Sequence, residues 1–378
     1  MARAEVGEGM KPVSYAKPLI GEEEKSRVLA VLESGMLAMG PQTAEFESKF
    51  AEYVGVEYAV ATNSGTSALH VALLAAGIQP GDKVITTPFT FIATSNSILY
   101  CGGIPVFADV DANTFNIDPE CVRRVLDRER DVKAILVVHL YGLACEMDPI
   151  LEMAKERNLI VIEDCAQAHG ARYKGAAVGS LGDVGIFSFY PTKNMTTGEG
   201  GMVVTRRKDI ADRARKLINH GRSGRYLHDM LGYNYRMTDI AAAIGLAQLD
   251  KLDQFNARRR ANAAVLNSLL SDLPTLVLPS EPDHCYHVYH QYTVRAKQRD
   301  ELKAYLDSCG VQTSIVYPLP QTKQPLYRSL GLGNAETPVA ERLCSEVISL
   351  PVHPGLTPDD LVAVSDAIHD FYGTNTTK

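Results

Sequence analysis

Between residues 55 and 205, short apolar runs alternate with stretches of helical period. Tyr58–Thr62, Lys83–Thr87, Pro105–Ala108, Ala134–Val138 and Leu159–Ile162 read as strands. The segments Thr66–Ala76, Ala93–Tyr100, Pro119–Leu126 and Asp148–Arg157 read as the helices between them. Strands that are apolar along their whole length expect cover on both faces, so the pattern predicts an α/β domain with a mostly parallel sheet. Two late strands, Ile186–Phe189 and Gly201–Thr205, follow with no helical stretch between them.

Beyond residue 205 the pattern changes. Asp209–Asn219 and Met237–Leu249 read as helices, the second with Thr238 as its N-cap. Leu252–Leu270 is long enough to bridge out of the first domain. The tail then mixes a strand at His287–Val294, a helix at Arg299–Ser308, a strand at Thr313–Tyr317, and helices at Thr337–Val347 and Pro358–Tyr372. The expected division is a large domain over residues 12–255 and a smaller α+β domain over 256–378.

Composition narrows the class. Hydrophobic residues make up 46% and charged residues 22%, and the formal net charge is −7. No global basic field is available for nucleic acid or an anionic membrane. The run Arg258–Arg260 falls in a helical stretch and reads as a solvated face. No apolar run reaches the ~18–20 residues needed to span a bilayer, and Met1–Gly9 lacks a signal-peptide core, so a cytoplasmic protein is expected. The seven cysteines are scattered without a Cys-x-x-Cys pair, which argues against a disulfide framework or a thiolate zinc site. Cys165 reads as a small packing residue beside Asp164.

The chemistry concentrates at the C-terminal ends of the apolar strands, where open α/β sheets bind ligands. Asp164 closes the run Leu159–Asp164, and Lys193 lies 29 residues further on, between the two late strands. A lysine and an acid so placed are what pyridoxal phosphate (PLP) needs: the lysine carries it as a Schiff base and the aspartate holds its pyridinium proton. Thr62–Thr66 turns from strand into helix, with Ser64 or Asn63 as cap and Gly65 allowing close approach of a ligand. Free N–H groups and the helix dipole there suit a phosphate. Phe91, just past a strand end, is placed either for core packing or to lie on a flat ring. Gln167 can reach a phenolic oxygen, and Ser188 can donate to the phosphate. A lysine desolvated in such a pocket has a lowered pKa and can move a proton.

Together these segments resemble the DegT/DnrJ/EryC1/StrS family of PLP-dependent sugar aminotransferases. The blocks that carry the resemblance are Phe46–Ala51, Asn63–Thr66, Pro80–Ile85, Glu163–Gly170, Ser188–Lys193 and Gly232–Met237, in that order over nearly the whole chain. The resemblance implies fold type I (aspartate aminotransferase-like) and a homodimer with shared active sites. It implies Lys193 as cofactor lysine and proton shuttle, Asp164 on the ring nitrogen, and Gln167 near the ring hydroxyl. Gly65, Thr66 and Ser188 match the phosphate positions, Phe91 the stacking aromatic, and Asn234 a residue that reaches the neighbouring subunit's phosphate. Its implied substrates are an amino acid donor, L-glutamate above all, and a nucleotide-linked keto-sugar; Tyr317 would line the sugar's approach, and Arg222 and Arg225 read either as contacts to its diphosphate or as solvated loop arginines.

One departure is Val316 before Tyr317, where many members of the family carry histidine. Members that dehydrate sugars replace the lysine with histidine, so Lys193 favours transamination over a dehydratase or lyase. A non-catalytic PLP-binding regulator is the other alternative, but neither a basic patch nor a helix-turn-helix is evident. His284, His287 and His290 have metal-like spacing, yet on a strand His287 would face away from the other two, and no metal is expected.

Overall fold

A computed structural model of the chain describes residues 12–375, so the segment Met1–Gly9 lies outside the described residues. The strands in chain order are β1 (Tyr58–Thr62), β2 (Lys83–Thr86), β3 (Ile104–Phe107), β4 (Val132–Val138) and β5 (Ile160–Asp164). A small hairpin, β6 (Arg172–Tyr173) and β7 (Ala176–Ala177), precedes β8 (Val184–Ser188) and β9 (Gly201–Thr205). The main sheet has seven strands in the order β1-β9-β8-β5-β4-β2-β3. Its pairs are parallel except those of β9, which runs against both β1 and β8. Parallel neighbours are joined by long crossovers, mostly helical but through the β6–β7 hairpin between β5 and β8, whereas β9 follows β8 after one loop and runs back against it. That loop carries Lys193.

The helices of this layer are α1 (Glu22–Ser34), α2 (Pro41–Val54), α3 (Gly65–Ala75), α4 (Ile92–Tyr100), α5 (Pro119–Arg128), α6 (Met147–Arg157), α7 (Lys208–Leu217) and α8 (Asp239–Leu249). Successive side chains of β4 point to opposite cores, Ile135 and Val137 into one, Ala134 and Leu136 into the other. The first core is filled by Phe46 and Phe50 of α2, Val122 of α5 and Leu246 of α8. The second is filled by Leu69 and Leu73 of α3, Ile98 of α4 and Ile210 of α7. With both faces covered, the strands can be apolar throughout, as the sequence pattern required.

α9 (Leu252–Leu270) starts with Leu252 in the first core and ends with Ala263, Leu266 and Leu270 in a third. That third core lies under an antiparallel sheet of β10 (Leu276–Val277), β12 (Tyr292–Ala296) and β13 (Val347–Leu350). The helices α10 (Arg299–Ser308) and α13 (Pro358–Asn375) pack on it, and Val13 of the N-terminal segment reaches it too. Shorter helices α11 (Pro325–Ser329) and α12 (Pro338–Glu346) complete the tail, and β11 (Cys285–Tyr286) pairs with β6.

Two expected strands fail. His287–Val294 is not one strand, because Val288 and Gln291 donate their N–H groups to Gly142 and Tyr141 instead of to a sheet. Tyr289 sits at φ 43° and its N–H turns back onto His287 Nδ1. The three histidines therefore do not alternate as on a strand: His284 bonds Glu146, His287 stacks on Tyr289, and His290 faces Asn194. Thr313–Tyr317 keeps one bridge, Ser314 to Ser349, and then leaves the sheet. The basic run is also corrected. Arg259 is only 5% exposed, because α9 passes between two packed layers and one of its faces is sealed.

Candidate active site

The C-terminal ends of β1, β5 and β8 and the loop after β8 open onto one cavity of about 740 Å³. At one end, Ser64 caps α3, its Oγ accepting from Ser67 N–H at 3.1 Å. Ser67 Oγ in turn donates to Asn63 Oδ1 at 2.6 Å, which stiffens the turn. The N–H groups of Gly65 and Thr66 find no partner among the described residues, as expected for the first turn of a helix whose cap serves one donor. Gly65 faces Ser188: a Cβ added there would lie 2.6 Å from the Ser188 Cβ. Only glycine leaves the gap between these two segments, and the unpartnered N–H groups border it. An anion of phosphate size and charge fits those donors.

Asp164 ends β5 and is 3% exposed. Its Oδ2 accepts from Thr94 Oγ1 at 2.8 Å and its Oδ1 from Ala166 N–H at 3.1 Å. Burial raises its pKa, while the Ala166 N–H, the Thr94 hydroxyl and the charge of Lys193 pull it back. The neighbouring residue on the strand, Glu163, points to the opposite face. Its carboxylate accepts from the N–H groups of Gly179, Leu181 and Gly182 and from His139 Nε2 at 2.9 Å. His139 Nδ1 accepts from Cys145 N–H, so the ring proton sits on Nε2 and the imidazole donates to Glu163. These bonds pin the strand end that presents Asp164. Cys165 is fully buried and burial pushes its thiol well up, in keeping with a packing role.

Lys193 hangs in the β8–β9 loop, its own N–H bonded to Tyr190 carbonyl at 2.9 Å. Its side chain is half-buried and lines the cavity. Desolvation lowers its pKa to about 8, with the Asp164 charge acting in the other direction. The amine therefore gives up its proton far more readily than an exposed lysine does, while remaining mostly protonated at neutral pH. Phe91 is 57% exposed, a bare apolar ring on the cavity wall 6.4 Å from the ring of Tyr317. Gln167 is fixed at both ends of its amide: Oε1 accepts from Tyr141 N–H and Nε2 donates to Tyr317 hydroxyl at 3.0 Å.

The structure therefore gathers Gly65, Thr66, Phe91, Asp164, Gln167, Ser188, Lys193 and Tyr317 around one space. It does not bring Arg222, Arg225 or Asn234 to that space within one chain. Arg222 spends its Nε and Nη2 on the carbonyls of Gly224 and Arg225, Arg225 lies over the Tyr226 ring, and Asn234 is exposed. Sequence reasoning missed Thr94, Tyr15, Ser314, His353 and Arg259. Thr94 carried a signal, since it is one helical turn beyond Phe91. Tyr15 and His353 carried none, because only the tertiary fold brings the chain's two ends to the cavity.

The cavity fits PLP on three counts: the cradle that a Cβ at Gly65 would fill, the buried Asp164 carboxylate, and the bare Phe91 ring. Sheet, lysine and acid together define a PLP-dependent transferase of fold type I. The model of the DegT/DnrJ/EryC1/StrS aminotransferase family matches residues 18–369, and the chain belongs to that family. It is 41% identical over 358 residues to the "Pleiotropic regulatory protein" of Geobacillus stearothermophilus, covering 93% of this chain and 96% of that protein. It is 38% identical over 350 residues to the dTDP-3-amino-3,4,6-trideoxy-alpha-D-glucose transaminase of Streptomyces venezuelae, covering 92% of each. The solved structure of S. venezuelae DesV superposes with a TM-score of 0.90 at 36% identity, over 95% of this chain and 99% of that one.

Proposed function

We propose that this enzyme moves an amino group from an amino acid, L-glutamate, to a nucleotide-linked keto-sugar. The observation that carries the proposal is a single cavity lined by a lysine of lowered pKa, a buried carboxylate and an anion cradle, with ample volume beside them. The transaminase relative named for a dTDP-sugar supports the acceptor class. When bound, PLP supplies an electron sink that makes the Cα–H of an amino acid acidic.

The chain's own residues do the rest. Gly65 and Thr66 N–H groups and Ser188 hold the phosphate. Asp164 keeps the ring nitrogen protonated, and Thr94 and Ala166 hold Asp164 in place. Phe91 would lie against the cofactor ring. Gln167, tied to Tyr141, keeps one amide hydrogen for the ring hydroxyl. Lys193 Nζ takes the proton from the donor's Cα and returns it during transfer. Tyr317 faces the sugar.

The same proposal makes the protein a homodimer in which Asn234 serves the neighbour's phosphate, with Arg222 and Arg225 at the substrate's approach. The exposure of Asn234, away from its own cavity, supports that sharing. It divides the chain near residue 255, within α9, where the helix leaves one core for another. Cysteines without disulfide partners accord with a cytoplasmic location, and no described helix is long and apolar enough to cross a membrane.

The test is to incubate holoenzyme with L-glutamate and a panel of GDP-, dTDP- and UDP-linked keto-sugars, following 2-oxoglutarate release and the aminated sugar by mass. Amination of at least one keto-sugar, lost in Lys193→Ala, is expected. No amination across the panel, with 2-oxoglutarate still formed against simple keto acids, overturns the sugar acceptor.

A further inference from the structure

The cavity has a second wall that the cofactor does not explain. It is built from the far end of the chain and the N-terminal segment: Tyr15, Arg259, His290, Gln291, Ser314 and His353. Arg259 dominates it. The side chain is nearly buried and makes no salt bridge among the described residues, although two carboxylates, Asp164 and Glu199, line the same cavity. Asp164 is already engaged by Thr94 and Ala166.

The guanidinium is held but not satisfied. Nη1 donates to the carbonyls of Tyr289 and His290 at 3.2 and 3.1 Å, which aims the fork. Nε is buried with no partner. Nη2 makes no hydrogen bond among the described residues and, unlike Nε, is not sealed from the cavity. Burial lowers the group to about 10, so it stays charged at neutral pH. His290 and His353 beside it are held neutral by burial, and neither balances nor competes with its charge.

A desolvated cation with no counter-ion costs several kcal/mol unless something anionic completes it. Arginine's planar fork matches a carboxylate. Resting on the reading of this cavity as a transaminase site, we propose that Arg259 is its carboxylate subsite, where the amino acid donor is anchored while its amine faces Lys193. The cofactor's phosphate would be held at a different part of the lining, by Gly65 and Ser188, so a carboxylate at Arg259 would not displace it. The keto-sugar, which needs no carboxylate, then enters the same space after the donor's keto acid has left. The unbalanced charge at Arg259 thus selects between the two substrates that share one cavity.

The experiment is equilibrium binding to holoenzyme by titration calorimetry, using glutarate, which has no amine to react, against its uncharged diamide. The wild-type protein should bind glutarate about 10- to 100-fold more tightly than the diamide, the range of one charge-assisted contact. Arg259→Gln should erase that preference. Arg259→Lys, which keeps the charge but not the fork, should retain part of it. Thermal melting checks that each variant folds. Should neither fold, the wild-type comparison still decides, since equal affinity for the two probes overturns the subsite. A wild-type preference that persists in folded Arg259→Gln also overturns it. Binding of glucuronate over glucose, with glutarate ignored, assigns the charge to a sugar acid and overturns the donor assignment. Glutarate binding does not depend on turnover, so failure here is distinguishable from failure of transamination.

Discussion

Thr94 donates its hydroxyl to Asp164 Oδ2 across 2.8 Å, joining the first turn of α4 to the end of β5 in a buried setting. The bond favours the charged carboxylate against the desolvation that would neutralise it. Removing it by Thr94→Val should slow transamination about 10-fold, the worth of one bond to a charged group. Thr94→Ser should restore most of the rate. Asp164→Asn, whose amide cannot hold a pyridinium proton, sets the floor. A Thr94→Val enzyme with wild-type single-turnover rates would show that Asp164 needs no such partner.

Lys193 gives a pH signature in the cofactor-free protein. Its folded pKa, about 8, lies below the model-peptide value of 10.5. Between those values the unfolded chain binds more protons than the folded one, so this group's contribution makes stability rise with pH across that window. Below the folded value the penalty is constant; above 10.5 it is gone. Lys193→Met should therefore be more stable than wild type near pH 7, with the gap closing toward pH ~10. Urea denaturation at several pH values measures it, and a gap independent of pH would contradict the buried-amine assignment.

Gly65 and Ser188 offer a packing test. The methyl of Gly65→Ala would meet the Ser188 Cβ at 2.6 Å. Overpacking of this kind costs about 1–3 kcal/mol, and here it closes the anion cradle. PLP affinity should fall about 10-fold or more. Gly65→Ala combined with Ser188→Gly should recover part of the lost thermal stability, because the second change removes the atom that is struck, while the phosphate contact of Ser188 stays lost. Thermal melting distinguishes rescue from additive damage, and dialysis against limiting PLP, read by absorbance, measures the affinity.

Shared active sites make a further prediction, testable by complementation. Lys193→Ala and Asn234→Ala subunits are each weak alone. Mixed under subunit exchange, a heterodimer holds one doubly damaged site and one intact site, provided the two residues serve different cofactors. Activity should then return toward a quarter of wild type in an equal statistical mixture. Exchange without recovery would place both residues on one cofactor.

Local pattern was enough to read the α/β layer and to single out Lys193 and Asp164 as candidates. Apolar runs such as Leu159–Ile162 are decided by period and length, and the candidate site residues lie at or beyond their C-terminal ends, where sheets of this class bind ligands. Local signals also found the α3 cap at Ser64 and the α8 cap at Thr238. Tertiary structure decided the rest. Residues 287–291 have strand-like composition, but a turn 150 positions earlier in the chain claims their N–H groups, a competition no local pattern records. Arg259 looked like one of three solvated arginines, and only the passage of α9 between packed layers buries it while Arg260 pairs with Glu281 at the edge. The wall formed by Tyr15, Arg259 and His353 brings together residues more than three hundred positions apart. Burial and unpaired charge are properties of that assembly, and so the chemistry of the second wall could be read only from the folded chain.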